Sequence, residues 1–243
     1  MQLHKKTIGI LGGMGPEATA LFFHKIVCKT PAEKDQEHIK IVIYNDPDVP
    51  DRTGAIVDDL VSPVEKVREG LKFLKKSNVD FITIPCVTLH YYFDDYKNSV
   101  NIPVLNLIQE TLFFIQKKYS RVRNIGVLAT RGTYYAQIFE KTFVPLDYNV
   151  IIPDEVGQEC VMDAIYGKEG IKAGYTTGTC KESIINVAEQ LIDKGAEIII
   201  GGCTEIPIVI STGDLAVPFV DTLSVLAEAA VALAGLEPRM SYT

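Results

Sequence analysis

Residues 8–15 read IGILGGMG and residues 125–133 read IGVLATRGT, so one strand-like opening recurs after 125 − 8 = 117 positions. A second pair keeps the same spacing. VDFITIPCVT covers 79–88 and AEIIIGGCTE covers 196–205; each carries a cysteine, and 203 − 86 = 117. A looser echo, IPVLNL at 102–107 and VPFVDTL at 217–223, aligns Pro103 with Pro218 at a spacing of 115. Two equal offsets between separate motifs mark an internal repeat. The chain is therefore expected to form two related lobes. Each would hold a cysteine just past the carboxyl end of a strand, where open α/β sheets bind ligands.

The rest of the pattern agrees. TIGIL, IKIVIY, FITI, VLNL, IGVLA, VIIP, EIIIGG and AVPFV read as buried strands, with amphipathic stretches between them. One such stretch, Ser62 to Lys76, opens with Ser62, Pro63 and Glu65, predicting a capping box with proline at the first helical position. Strands alternating with helices imply βαβ units and a mostly parallel sheet covered on both faces. The expected class is α/β: two similar Rossmann-like lobes related by pseudo-twofold symmetry, with an active site in the cleft between them. Their expected limits are 1–105 and 106–220.

Composition excludes several functions. With a net charge of −7 and no basic run, neither nucleic acid nor an acidic membrane surface is an expected partner. The apolar run at the N-terminus is too short for a signal peptide. LSVLAEAAVALAGL (223–236) is too short to span a bilayer and contains Glu228. A cytoplasmic protein is expected. The five cysteines (28, 86, 160, 180 and 203) are odd in number and lack C-x-x-C spacing, which fits reduced thiols. The histidines at 4, 24, 38 and 90 stand off ligand spacing from them, so no metal is expected. The glycine cluster reads G-x-x-G-G-x-G, not G-x-G-x-x-G, and no acidic residue ends the second strand; both argue against a dinucleotide.

If the lobes face each other, Cys86 and Cys203 flank whatever binds between them. Two opposed thiols suit a proton relay: one thiolate removes a proton from one face of a carbon, and one thiol returns a proton to the other, inverting the centre. A strand end leading into a helix N-terminus, or a nearby cation, would lower a thiol pKa in the required direction. Cys28, in the helix-like stretch after GPEAT, reads as a small buried core residue. Cys160 and Cys180 have no motif around them.

These motifs together, GILGGMGPEAT near the start, PDRT at 50–53, PC-x-T-x-H at 85–90, KAG at 172–174 and GGCTE at 201–205, resemble the cofactor-independent aspartate/glutamate racemase family, aspartate racemases most closely. The resemblance runs from end to end. It implies an isomerase that interconverts L- and D-aspartate, with Cys86 and Cys203 as the acid–base pair and with neither pyridoxal phosphate nor metal. It further implies a homodimer and a C-terminal helix, within 221–243, packed back on the first lobe. Arg52 and Lys172 would hold the side-chain carboxylate, Arg52 by a bidentate pair. Thr130 and Thr133, with the loop backbones, would hold the α-carboxylate or α-amino group, and Met14 would wall the pocket. Thr88 and Thr204 would hydrogen-bond substrate unless they cap helices. Glu205 would orient the neighbouring sulfur or the ammonium group.

One position departs from the family pattern: Val87 stands where asparagine commonly follows the first cysteine. Related two-lobed enzymes, such as maleate isomerases, hydantoin racemases and one-cysteine arylmalonate decarboxylases, are alternatives, as is a silent amino-acid-binding protein on this scaffold. Two cysteines weigh against the decarboxylases, and Arg52 with Lys172 favours a dicarboxylate. Val87→Asn is expected to leave kcat unchanged or raise it in a racemisation assay. A large loss of kcat would contradict a site that keeps the family geometry.

Overall fold

The computed structural model describes residues 5–239. The first four residues of the expected first lobe, and positions 240–243 of the expected returning segment, lie outside the described residues. Strands β1 (Ile8–Gly12), β2 (Ile41–Asn45) and β3 (Phe81–Thr83) form one sheet in the order β2-β1-β3. Strands β4 (Asn124–Leu128), β5 (Asn149–Ile151), β6 (Ile198–Gly201) and β7 (Phe219–Asp221) form a second in the order β5-β4-β6-β7. Every strand pairing among the described residues is parallel.

The repeat survives in register. Ile8 pairs with Phe81 and Ile125 with Ile198, and 198 − 81 is again 117. Val104 bridges Ile82 where β7 pairs with β6. Ile82 N–H donates to Pro103 O (2.9 Å) and Ile199 N–H donates to Pro218 O (3.0 Å), so the two prolines do the same job. VLNL reaches only this single bridge because Asn106 already caps the next helix, accepting from Ile108 N and Gln109 N.

The helices are α1 (Pro16–Lys29), α2 (Arg52–Val57), α3 (Val64–Lys76), α4 (Phe93–Tyr96), α5 (Leu107–Lys118), α6 (Arg131–Tyr135), α7 (Ile138–Phe143), α8 (Glu155–Tyr166), α9 (Thr179–Asp193), α10 (Ile206–Val209) and α11 (Thr222–Leu233). Strand alternation decides which face each covers. Ile8 and Ile10 pack with Ala18 and Phe22 of α1, whereas Leu11 faces Val67, Leu71 and Leu74 of α3. In the second sheet Ile125 and Val127 face Phe139 and Phe143 of α7, whereas Leu128 faces α8 and α9 through Val161, Ile165, Ile184 and Leu191. The two inward faces meet in one buried cluster, to which α5 and α11 add Leu112, Ile115, Leu226 and Val231. Helix α11 packs against both α1 and α5.

Several expectations need correction. Helix α3 begins at Val64 with Pro63 as its N-cap, and Ser62 Oγ accepts only a long 3.4 Å contact from Val64 N. No capping box forms, because Glu65 turns forward to Arg68. Strand β2 is a half-exposed sheet edge, not a buried strand, with Ile43 41% exposed. Cys28 is exposed, as is Cys160; only Cys180 joins Cys86 and Cys203 in burial. Helical i, i+4 spacing also brings Cys28 Sγ to 3.5 Å from His24 Nε2, although no group of three or more metal-ligating side chains gathers among the described residues.

Asp221 is the counterpart of Asn106 at the 115 spacing. It caps α11 through Leu223 N (2.9 Å) and Ser224 N (3.1 Å) and also pairs with Lys25 of α1 at 2.6 Å. Asp221→Ala is therefore expected to lower stability by about 1–2 kcal/mol, and Asn106→Ala, which loses only a cap, by about 1 kcal/mol. Urea midpoints at unchanged m-value read both. Equal midpoints for Asp221→Ala and wild type would refute the cap-and-tether role.

Candidate active site

Both repeat cysteines sit where a buried strand gives way to a tight turn. Cys86 follows β3 and enters a 3-10 turn at Thr88–Tyr92; Cys203 follows β6 and precedes the four-residue α10. Both line one inner chamber of about 10 Å³, room for roughly a single water. Met14, Arg52, Val87, Thr88, Thr130, Tyr166, Lys172, Thr204 and Glu205 complete its wall. Outside it lies a larger cavity of about 510 Å³, and Arg52, Tyr166, Lys172 and Glu205 line both.

Arg52 occupies the first turn of α2, which Asp51 caps by accepting from Gly54 N at 2.7 Å. Arg52 is 8% exposed, and its guanidinium donates to the carbonyls Val49 O, Pro50 O and Met14 O at 3.1–3.3 Å, with the Cys86 side chain beside it. Nε has no partner, and no carboxylate pairs with the group among the described residues. Burial works to lower its pKa, but Cys86, Tyr166 and Asp51 raise it further, so the charge is kept. A buried cation with no counter-ion is costly. The site is thus poised for an anion.

Lys172 is placed differently from expectation. Its Nζ pairs with Glu205 Oε1 at 2.5 Å and rests 5.3 Å from the Tyr166 ring. Glu205 Oε2 accepts from Cys203 Sγ at 2.9 Å and from Thr204 Oγ1 at 3.3 Å. Burial, then the Glu205 charge, pushes the Cys203 thiol pKa well up, and Lys172 opposes them. This reverses the lowered thiol pKa expected from a helix N-terminus. The helix after Cys203 has only four residues, and the nearest charge is a carboxylate.

None of the site threonines caps a helix through its hydroxyl, although Thr130 occupies the N-cap position of α6. Thr88 Oγ1 lies 3.0 Å from both Thr130 Oγ1 and Thr133 Oγ1, forming a buried hydroxyl cluster between the two sheets. Thr130 and Thr88 reach the chamber, and Thr133 stands behind them. The glycine loop is tightly built: Gly13 has φ +98°, and a Cβ there would meet the Asp46 carbonyl at 2.2 Å. Its N–H is already taken by Thr19 Oγ1 at 3.1 Å.

Two residues carried no assigned role in the sequence. Tyr166, at the end of α8, has no motif to mark it. His90 stood inside the quoted PC-x-T-x-H stretch. Its Nδ1 bonds Cys86 O at 2.8 Å and its Nε2 accepts from Leu107 N at 3.1 Å. The ring is therefore neutral with its proton on Nδ1, and it ties the Cys86 peptide to the first turn of α5.

The Asp/Glu/Hydantoin racemase profile matches residues 11–230. The chain belongs to that family. Membership makes it an isomerase of the amino-acid racemase kind. A Picrophilus torridus aspartate racemase superposes with a TM-score of 0.87 at 32% identity, covering 96% of each chain. The broad specificity amino-acid racemase RacX of Bacillus subtilis is 28% identical over 232 residues, 92% of this chain and 96% of its own. A Francisella tularensis glutamate racemase solved with D-glutamate shares the fold at TM-score 0.70 and 20% identity, over 95% of this chain and 81% of that one. No helix among the described residues is long and apolar enough to cross a membrane.

Burial lowers the His90 pKa from 6.5 to about 4. The unfolded chain therefore takes up a proton that the folded racemase refuses between these values. Stability is full above pH 6.5 and falls as pH drops toward 4, by about 3 kcal/mol from this group alone. His90→Gln is expected to flatten that part of the stability–pH curve. An unchanged slope in pH-resolved urea titrations would exclude His90 as its source.

Proposed function

We propose that this chain racemises aspartate by a two-base mechanism, with Cys86 and Cys203 on opposite faces of the α-carbon. One observation carries the reading: a buried guanidinium without a carboxylate partner shares an enclosed chamber with both cysteines. A second acid on the substrate suits Arg52, whose planar fork matches a carboxylate bidentately. The 32% identity to an aspartate racemase supports the choice of acid. The proposal includes neither pyridoxal phosphate nor metal, as the family resemblance implies. It extends to a homodimer and to lobes bounded at 105/106 and 220/221.

In this mechanism Cys203, once its own thiol proton has passed to solvent, takes the α-proton of L-aspartate as a thiolate, and the Cys86 thiol protonates the opposite face. The high Cys203 pKa makes the thiol the resting form. A substrate ammonium against Glu205 would cancel the charge that, after burial, contributes most to that pKa. It would also favour the carbanion by keeping the nitrogen protonated. Fixed donors at the α-carboxylate, a role assigned in this reading to Thr88 and Thr130, would do the rest.

A second reading has one observation in its favour. Val87 is 1% exposed and gives the chamber an apolar wall beside Cys86. That suits a wider range of amino acids, as the name of the Bacillus subtilis relative describes for that protein.

The test is incubation with L-aspartate in D₂O, with a chelator and no cofactor, following optical rotation and α-deuteration together. Deuterated D-aspartate is expected. Cys203→Ala should abolish exchange from L-aspartate, while Cys86→Ala retains exchange without racemisation. The opposite pattern reverses the two roles. Exchange of other amino acids at equal rates would replace aspartate by the broader reading.

A further inference from the structure

The inner chamber holds about 10 Å³ and the outer cavity about 510 Å³. An amino acid fits the outer space and not the inner one. Of the four side chains shared by the two cavities, Lys172 and Glu205 form an ion pair. That pair lies against Gly15, where a Cβ would come within 3.1 Å of Glu205 Oε1 and 3.3 Å of Lys172 Nζ. It thus closes the gap between a residue of the first-sheet loop and the second-sheet turn bearing Cys203. The segment after Lys172 is open: Gly174 follows at φ +94° and Gly178 at φ +71°, with nothing within 4 Å of a Cβ at either. Ile171, just before it, is fully buried.

We propose that the Lys172–Glu205 ion pair is an exchangeable lock on the inner chamber, opened when a ligand supplies an ammonium to Glu205 and a carboxylate to Lys172. The two residues thereby set specificity before any chemistry. A diacid without an ammonium leaves Glu205 buried and unpaired on opening, which is unfavourable. This deepens the proposed function and rests on its reading of the chamber as the reacting site.

Thiol alkylation tests the lock without substrate, so its result stands whether or not aspartate is racemised. In a Cys28→Ser/Cys160→Ser background, which removes the exposed thiols, neutral iodoacetamide labelling of Cys86 and Cys203 is followed by peptide mass. Lys172→Met keeps the bulk and removes the charge. Electrostatics alone predicts slower labelling of Cys203, because Lys172 works against the upward shift of that thiol. The lock predicts the opposite sign: labelling faster by about fivefold, the population change expected on losing a partly exposed ion pair. Lys172→Arg should stay slow. Unchanged or slower labelling in Lys172→Met, or equal acceleration in Lys172→Arg, overturns the lock. For the ammonium half, succinate should bind wild type at least about fivefold more weakly than L-aspartate by calorimetry. Equal affinities overturn that half.

Discussion

Everything in this molecule depends on the single apolar cluster where the inward faces of the two sheets meet. Ile8, Ile10 and Phe81 of the first sheet and Ile125, Val127, Ile198 and Ile200 of the second share it with α1, α5, α7 and α11. Neither sheet can bury that face alone. The packing therefore fixes the separation of the two sheets, and with it the approach of the turns after β3 and β6. Cys86 and Cys203 come to one chamber because the strands that carry them are held in one core. The Asp221–Lys25 pair and the threonine cluster tie the same halves together at the polar edges.

Within that frame the charges are unequal. Arg52 is held by backbone carbonyls that cannot neutralise it, while Lys172 is neutralised at once by Glu205. Burying the first costs more than burying the second. The folded protein keeps the unpaired cation because α2, capped by Asp51, delivers it there. Such a site spends stability on readiness for an anion. The paired cation does the reverse: it lowers the cost of the Glu205 carboxylate, which in turn holds the Cys203 proton.

Much of this was legible in the sequence. The 117 spacing revealed the repeated lobe because strand registers, once paired, keep their count: Ile8 to Phe81 and Ile125 to Ile198 span the same number of residues. The chamber residues were legible through motif resemblance, and nearly all of them line it. What was not legible is what depends on three-dimensional neighbours. No spacing rule pairs Lys172 with Glu205, 33 residues apart. The upward shift of the Cys203 thiol follows from burial and then from that carboxylate, not from the strand-end position that the sequence displays. Cys28 misled because a cysteine on an amphipathic helix can face either way, and this one faces water.

The repeat also shows why the two halves of the site differ. Applying the 117 spacing, Val87 falls on Thr204 and Thr88 on Glu205. The turn after β6 is thus polar and charged where the turn after β3 is apolar and neutral. Cys86 has the Arg52 guanidinium beside it and the His90 clamp at its own carbonyl, whereas Cys203 has a carboxylate two residues along the chain. The same offset puts Met14 opposite Arg131, which turns outward to Glu159 at 2.7 Å, leaving the methionine side chain in the chamber wall. A symmetric scaffold has become a chemically one-sided chamber. That one-sidedness is what a chiral carbon requires: its fixed substituents must each meet a different wall, so that only the hydrogen changes face.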